Sequence, residues 1–457
     1  MKSPEPEPVS EDPDAGSARS GGEGLHPSSG GAAGLHSPAA GWKTALAPRL
    51  VPLIGIGVWA SLIVKGVRKL FKGDGNDFTI LHSAGVRLLE GEPIYDGTYM
   101  YPAFFLFVLA PLALLPMGVA GILWLVGKIP VFHASVSLFA RLAGVPPEWG
   151  ARLAWLSPVL VYRFLDSDCA TGNVNVYLLG GLALGAAALS RARDPFGGAI
   201  LAAVAAVKLA PAYILVALGV GGRWRAALIG AAVLVVLLLL PAWLTRDRDE
   251  GMFGGFFRTS ASVFEATDAG EAGTGYVPGQ SLRAIVHRLG RESDATAHDD
   301  GKVISIHWFD FEAATLDTVY RLLAASLALF GLAGAYRRGF AVGWVIAWSA
   351  IILLLISPYS RKAHFILLLP AYLHVLAAAR TSRFALGSLG LSWALAELTT
   401  RAIWGKATAA LITAHCSVGW AAVALLPALW VGKPLAGESS AAIVTASSPT
   451  GGSTCSD

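Results

Sequence analysis

The chain has 457 residues, 54% of them in AVILMFWYC and only 14% charged, where soluble domains carry roughly 25%. That balance excludes an ordinary water-soluble globule, and apolar runs recurring from Leu50 to Val431 exclude a disordered chain. The net charge of +4 is spread between apolar runs rather than gathered on one face, which excludes a nucleic-acid binder, and three distant cysteines without a CxxC pair exclude a disulfide framework and a zinc ribbon.

What remains is an all-α polytopic membrane protein, because backbone facing lipid must satisfy its own hydrogen bonds. Residues 1–41 are rich in Pro, Gly, Ser and Glu, cannot offset their ordering entropy, and are expected to form a disordered cytoplasmic tail. No apolar stretch follows the first basic residue before about Leu50, so this segment does not read as a signal peptide. A transmembrane domain is expected over 42–435, followed by a Ser/Ala/Gly/Thr tail over 436–457.

Within that domain about twelve spans are expected, several with the ~20 apolar residues that cross a bilayer as a helix. They cover 50–67, 101–115, 117–140, 151–165, 174–190, 197–219, 225–244, 315–336, 340–357, 364–380, 383–402 and 407–431. Prolines 111, 116 and 158 mark two of them (101–115 and 151–165) as candidates for broken or re-entrant segments. Two polar stretches, 68–100 and 245–314, interrupt the pattern, and an even number of spans between them puts both on one face. Arg223 and Arg225, Arg337 and Arg338, and Arg380 and Arg383 lie in short loops on the other face, with Lys43 and Arg49 before the first span. By the positive-inside rule both termini are cytoplasmic and both large loops lie outside, with Lys65, Arg68, Lys69, Arg191 and Arg193 running against the rule.

In the first outer loop, Phe78, Leu81, Gly85, Leu88 and Leu89 approximate one face of a helix, with His82 and Arg87 off it. This predicts a short interfacial helix with Asp77 at or near its N-cap. Asp77 then either caps that helix or serves as a general base at the membrane surface. Farther on, Asp166-Ser167-Asp168 reads as a polar helix end or as an Asp-x-Asp metal pair, and the span count puts it on the cytoplasmic face. Lys208 stands inside an apolar run, where an ammonium costs at least ~2.5–3.5 kcal/mol unless it meets a cavity or an anion. Its bland explanation is an ion pair with Asp166 or Asp168. Arg361, Lys362 and His364 follow Ser357-Pro358 in an outer turn, fit either to bind a phosphate or to snorkel to the interface. In the long loop, Gly275 to Arg283 holds turn residues leading into a short helix that covers a site. There is no Walker loop, no GxGxxG after a strand, no HExxH and no nucleophile elbow, so a donor has to come from the membrane itself.

Taken in order, these stretches resemble glycosyltransferase family 87. The resemblance runs over about 50–435. Its strongest part is Asp77-Phe78, Ala84, Leu89, Gly91 and Tyr95, then Tyr101-Pro102, Pro111-Leu112 and Leu115-Pro116. Gly172-Asn173-Val174-Asn175, Lys208 with Pro211, Arg223 to Ala226, and Ser357-Pro358 with His364 add weaker echoes. The chain departs from the family pattern at Asn173, often Gln, at Ala103, often Pro, and at Arg361, often aromatic. The resemblance implies a GT-C bundle that moves a hexose, such as mannose, from a polyprenyl phosphate to an outer-face lipid or glycan acceptor. It also implies Asp77 as the catalytic carboxylate, with Asp74 competing. Lys208, Arg361, Lys362, His364 and the more remote Arg283 are the candidates for the phosphate, with Lys208 ranked below His364 because of its depth; Tyr101 and Asn173 complete the candidate substrate site. No cofactor or metal is implied. The alternatives are a transporter or lipid flippase, which internal repeats would favour and none is visible, and a non-catalytic assembly partner.

Overall fold

The computed structural model describes residues 38–72, 76–269, 279–292, 305–338 and 341–432. Residues 1–37 of the tail expected over 1–41, the tail expected over 436–457, Asp74, and residues 270–278 and 293–304 of the long loop lie outside the described residues. Among the described residues every regular element is a helix. The helix carrying the first span, α1, opens at Pro38, inside the stretch expected to be tail.

Among the described residues five helices are long and apolar enough to cross a membrane: Leu50–Lys72 of α1, Met117–Leu142 (α4), Trp224–Leu244 (α10), Ala313–Arg338 (α13) and Lys362–Ala379. Two bent pairs raise this to seven, Tyr162–Thr171 (α6) with Asn175–Ser190 (α7) and Arg401–Ala414 (α17) with Ser417–Val431 (α18), bent by 118° and 59°. The other expected spans are shorter helices or are broken. The expected span 151–165 is divided at Val161 between α5 (Pro147–Leu160) and α6. The expected span 364–380 starts as a 3₁₀ turn, Lys362–Leu368, before α15 (Leu369–Ala379). The expected span 383–402 is α16 (Arg383–Trp393) ending in a π-turn, Ala394–Leu398.

Two of these breaks change the path of the chain. α3 (Phe104–Ala113) has ten residues, about 15 Å at 1.5 Å per residue, half of a ~30 Å hydrocarbon core. Its far end returns to α2 (Asp77–Glu90), where the Leu115 carbonyl meets His82 Nε2 at 2.9 Å. The segment 101–115 is therefore too short to cross as a helix, and its far end lies against α2. The expected single span 197–219 is also a turn-back, of α8 (Asp194–Val207) and α9 (Ala212–Val220). Arg223, just past α9, donates to Asp194 at 2.7 Å and to the Leu189 carbonyl at 2.9 Å, so α9 ends beside the start of α8. Lys208 sits at the top of this turn.

α14 (Val342–Ile356) forms the central post, buried at every residue from Val342 to Leu355. A helix apolar on all sides belongs in such a position. Its own Trp344 and Trp348 stack 5.1 Å apart, and Trp348 reaches out to donate to the Gly331 carbonyl of α13.

Candidate active site

The first turn of α2 is the core of the site. Asn76, not Asp77, is its N-cap: the Asn76 side chain accepts the Phe78 N–H at 2.8 Å. The capping explanation of Asp77 thereby falls, and its carboxylate is left for another partner. That partner is Asn173, whose Nδ2 donates to Asp77 Oδ2 at 2.5 Å. The other end of α2 stops at Gly91, at φ +82°. The buried face of the helix is Phe78, Leu81, His82, Ala84 and Gly85, so His82 lies on the packed stripe and not off it, while Leu89 is exposed.

Asn173 is held by a network that the sequence did not announce. Gly172 turns the chain at φ +66°, where a β-carbon would stand 2.3 Å from Asn76 Oδ1 and 2.7 Å from Phe78 Cβ, so only glycine fits. The Gly172 carbonyl accepts from Trp124 Nε1 at 2.9 Å. Behind it, fully buried Lys128 directs its ammonium at the Asp168 carboxylate (2.5 Å), the Asp168 carbonyl (3.0 Å) and the Asn173 carbonyl (2.8 Å). Three acceptors saturate an ammonium's three protons. Asn175 Nδ2 donates to the other Asp168 oxygen at 3.2 Å.

This geometry corrects two expectations. Asp168 lies with Asn173 and hence with Asp77, so the Asp166–Asp168 segment is on the same end of the bundle as Asp77. The count that put it opposite included α3 as a crossing. Nor does either aspartate pair with Lys208: Asp166 bonds Lys65 at 2.6 Å and Asp168 bonds Lys128. Among the described residues no His/Cys/Asp/Glu group is arranged to hold a metal.

Lys208 instead meets His364, Nζ to Nε2 at 2.7 Å, while His364 Nδ1 accepts the Arg361 backbone N–H at 2.9 Å. Its apparent depth in the sequence was an artefact of reading α8 and α9 as one span. Asp77 lies in the field of Arg361, Lys208 and Lys128, and Tyr101 lies in the field of Asp77 and Arg361. Burial raises the pKa of Asp77 above the usual aspartate value, opposed by Arg361, the Asn173 hydrogen bond, Lys208 and Lys128. Asp77, Asn173, Tyr101, Arg361, Lys208 and His364 thus come together.

Arg283 does not join them. It lies on α12 (Leu282–Gly290), where Asp317 accepts from its guanidinium at 3.3 Å and meets His287 Nε2 at 3.0 Å. The expected short helix is present as α12: Gln280 N–H donates to the Ser360 carbonyl and Ser281 Oγ to the Pro358 carbonyl, fastening its start to the cationic turn. Lys362 faces another way from Arg361, toward Arg163, Arg401 and Arg288. Lys128 was the residue that sequence reading missed, although a lone ammonium in an apolar run is the same signal that singled out Lys208.

A buried, hydrogen-bonded carboxylate thus lies beside a cluster of cations at one end of the helical bundle, an arrangement that suits a polar reaction with an anionic group. The sequence profile of glycosyltransferase family 87 matches residues 99–358, and the chain belongs to that family. It is also 27% identical, over 391 residues, to the polyprenol-phosphate-mannose-dependent α-(1-2)-phosphatidylinositol pentamannoside mannosyltransferase of Mycolicibacterium smegmatis (strain ATCC 700084 / mc(2)155). That alignment covers 80% of this chain and 87% of the relative. No solved structure matches the chain.

Proposed function

We propose that the protein is a GT-C-type hexosyltransferase that moves a mannosyl residue from a polyprenyl-phosphate donor to an outer-face lipid or glycan acceptor by single displacement. The Asp77 carboxylate takes the proton of the acceptor hydroxyl, and the oxygen attacks the anomeric carbon. The bond from that carbon to the phosphate oxygen breaks, and the polyprenyl phosphate leaves with the bonding electrons. Such a leaving group needs charge stabilisation more than a proton, which His364, Arg361 and Lys208 are suited to give. Asn173 orients the base, and Tyr101 lines the sugar side. On this reading both termini are cytoplasmic.

The observation that carries the proposal is the Asn173–Asp77 hydrogen bond, made by a carboxylate that no longer has a cap to form. Family membership and the donor named for the mycobacterial relative support the substrate class. The test is reconstitution in liposomes with labelled polyprenyl-phosphate mannose or GDP-mannose. Transfer from the first alone is expected, and transfer from GDP-mannose alone would refute the proposal.

The pH profile gives a second check. A general base acts only when ionised, so kcat/KM falls as pH drops through the Asp77 pKa, which burial has raised. The Asn173 hydrogen bond holds that pKa down. Asn173→Ala is therefore expected to move the acid limb to higher pH as well as to lower the rate, whereas an unmoved limb would detach Asn173 from the base.

A further inference from the structure

The two polar stretches, 68–100 and 245–314, meet at the end of α2 that lies away from Asp77. Past Leu244 the chain leaves α10 in tight turns, with the Arg248 N–H donating to the Thr245 carbonyl at 3.0 Å and the Gly251 N–H to the Arg246 carbonyl at 2.9 Å. Arg248 and Asp249, carried on these turns, reach across to the first stretch. The Arg248 guanidinium donates to the Leu88 carbonyl at 3.1 Å. That carbonyl lies in the last turn of α2, where the helix offers it no partner and a cation meets the negative end of the helix dipole. Asp249 is buried, and its Oδ1 accepts the Ile94 N–H at 2.8 Å and the Tyr95 N–H at 3.3 Å, across 155 and 154 residues of chain. α2 holds the same turn itself: Arg87 donates to the Ile94 carbonyl at 3.0 Å and pairs with Asp96 at 2.9 Å.

Tyr95 carries this fixation toward the site. Burial, with the Asp249 charge beside it, raises the Tyr95 pKa, so its hydroxyl keeps the proton that it donates to the Tyr101 carbonyl at 3.2 Å. The rings follow the same path, with centroids 5.6 Å apart from Tyr95 to Tyr99 and 5.8 Å from Tyr99 to Tyr101. Gly255 closes over the start of this series, where a β-carbon would stand 2.8 Å from the Tyr95 ring. Tyr101 ends it, in the field of Asp77 and Arg361.

Taking the transfer proposed above as the reaction it serves, we infer that Asp249 is a positioning residue. It fixes the Ile94–Tyr95 backbone and, through the Tyr95 hydroxyl, the backbone of Tyr101 near Asp77. Without the carboxylate two buried N–H groups lose their acceptor, and the turn has to move to find them another. Tyr101 is then no longer held in place on the sugar side, and a small misplacement there costs rate steeply, because reacting atoms must be kept at near-attack distance. Lys208, Arg361 and His364 stand on other elements and keep their places.

Asp249→Ala and Asp249→Asn are the test, because an asparagine oxygen still accepts both N–H groups and alanine accepts neither. Hydrogen exchange of the purified full chain reads the clamp without any transfer. The Ile94 and Tyr95 amides are expected to exchange at least about tenfold faster in Asp249→Ala and within about threefold of wild type in Asp249→Asn. In liposomes with polyprenyl-phosphate mannose, Asp249→Ala is expected to lower kcat/KM at least about tenfold, and Asp249→Asn to stay within about threefold of wild type. Made in a Tyr101→Ala background, Asp249→Ala is expected to cost less than about twofold more, since its effect passes through Tyr101, whereas a loss of folded protein would multiply. Tyr95→Phe keeps the ring and the clamp and cuts only the link to Tyr101, so it should lower kcat/KM at least about fivefold with exchange at residues 94 and 95 unchanged. Wild-type exchange in Asp249→Ala overturns the clamp. Wild-type transfer by Asp249→Ala or by Tyr95→Phe overturns the positioning role, as does a further loss of about tenfold in the Tyr101→Ala background or a failure of Asp249→Asn to retain the rate. Absence of transfer by the wild type, with exchange still dependent on Asp249, removes the reaction that the clamp is assigned to serve and leaves the clamp itself standing.

Discussion

Asp77→Asn is expected to lower kcat by about 10²–10⁴-fold, the range that a positioned general base supplies. The amount of protein in the membrane should not change. Asn76 caps α2, so the helix start does not depend on residue 77, and an asparagine oxygen still accepts from Asn173 Nδ2. The substitution therefore removes the basic group and little else. Steady-state transfer with purified, liposome-reconstituted variant and wild type measures it. Wild-type turnover by Asp77→Asn would take the base away from this residue.

The second large effect is expected at Lys128. Breaking a fully buried ion pair by removing one partner leaves an uncompensated charge, with a cost of about 3–5 kcal/mol. Lys128→Met does this to Asp168 and also releases the Asn173 carbonyl. A large fall in thermal stability in detergent is expected, together with lost activity. The double variant Lys128→Met with Asp168→Leu removes both charges and should recover most of the stability, since buried pairs are often replaceable by apolar residues of similar volume. It should not recover activity, because the Asn173 carbonyl then loses the ammonium that anchors the Gly172–Asn173 turn. Full activity in the double variant would show that the turn is positioned by other contacts, such as Trp124 to the Gly172 carbonyl.

The helical membrane class was legible in the sequence because composition alone decides it. The place of Asp77 in the first turn of a short helix was legible too, since a carboxylate opening a short amphipathic segment stands out between apolar runs. Hydropathy could not tell a crossing from a turn-back. α3 and the α8–α9 pair are as apolar as true spans, and only their lengths and end contacts, Leu115 to His82 and Arg223 to Asp194, reveal the return. One such segment reverses the parity of everything after it, which is why Asp166 and Asp168 were assigned to the wrong end. The partners of Lys208 and Lys128 were hidden for a related reason. Each lysine contacts residues 40 or more positions away, and lone charges in apolar runs carry no record of which distant group neutralises them. Arg283 was drawn to the site by its loop and its charge, and the structure gives it to Asp317.

The most direct measurement is an electron cryomicroscopy structure of Asp77→Asn with polyprenyl-phosphate mannose bound. The account predicts the anomeric carbon beside residue 77, close enough for an acceptor oxygen at about 3–3.5 Å from it to reach the residue 77 side chain. The phosphate should lie at the turn of Arg361, Lys362 and His364. A donor bound with its sugar at the opposite end of the bundle, or with its phosphate away from that turn, would contradict it.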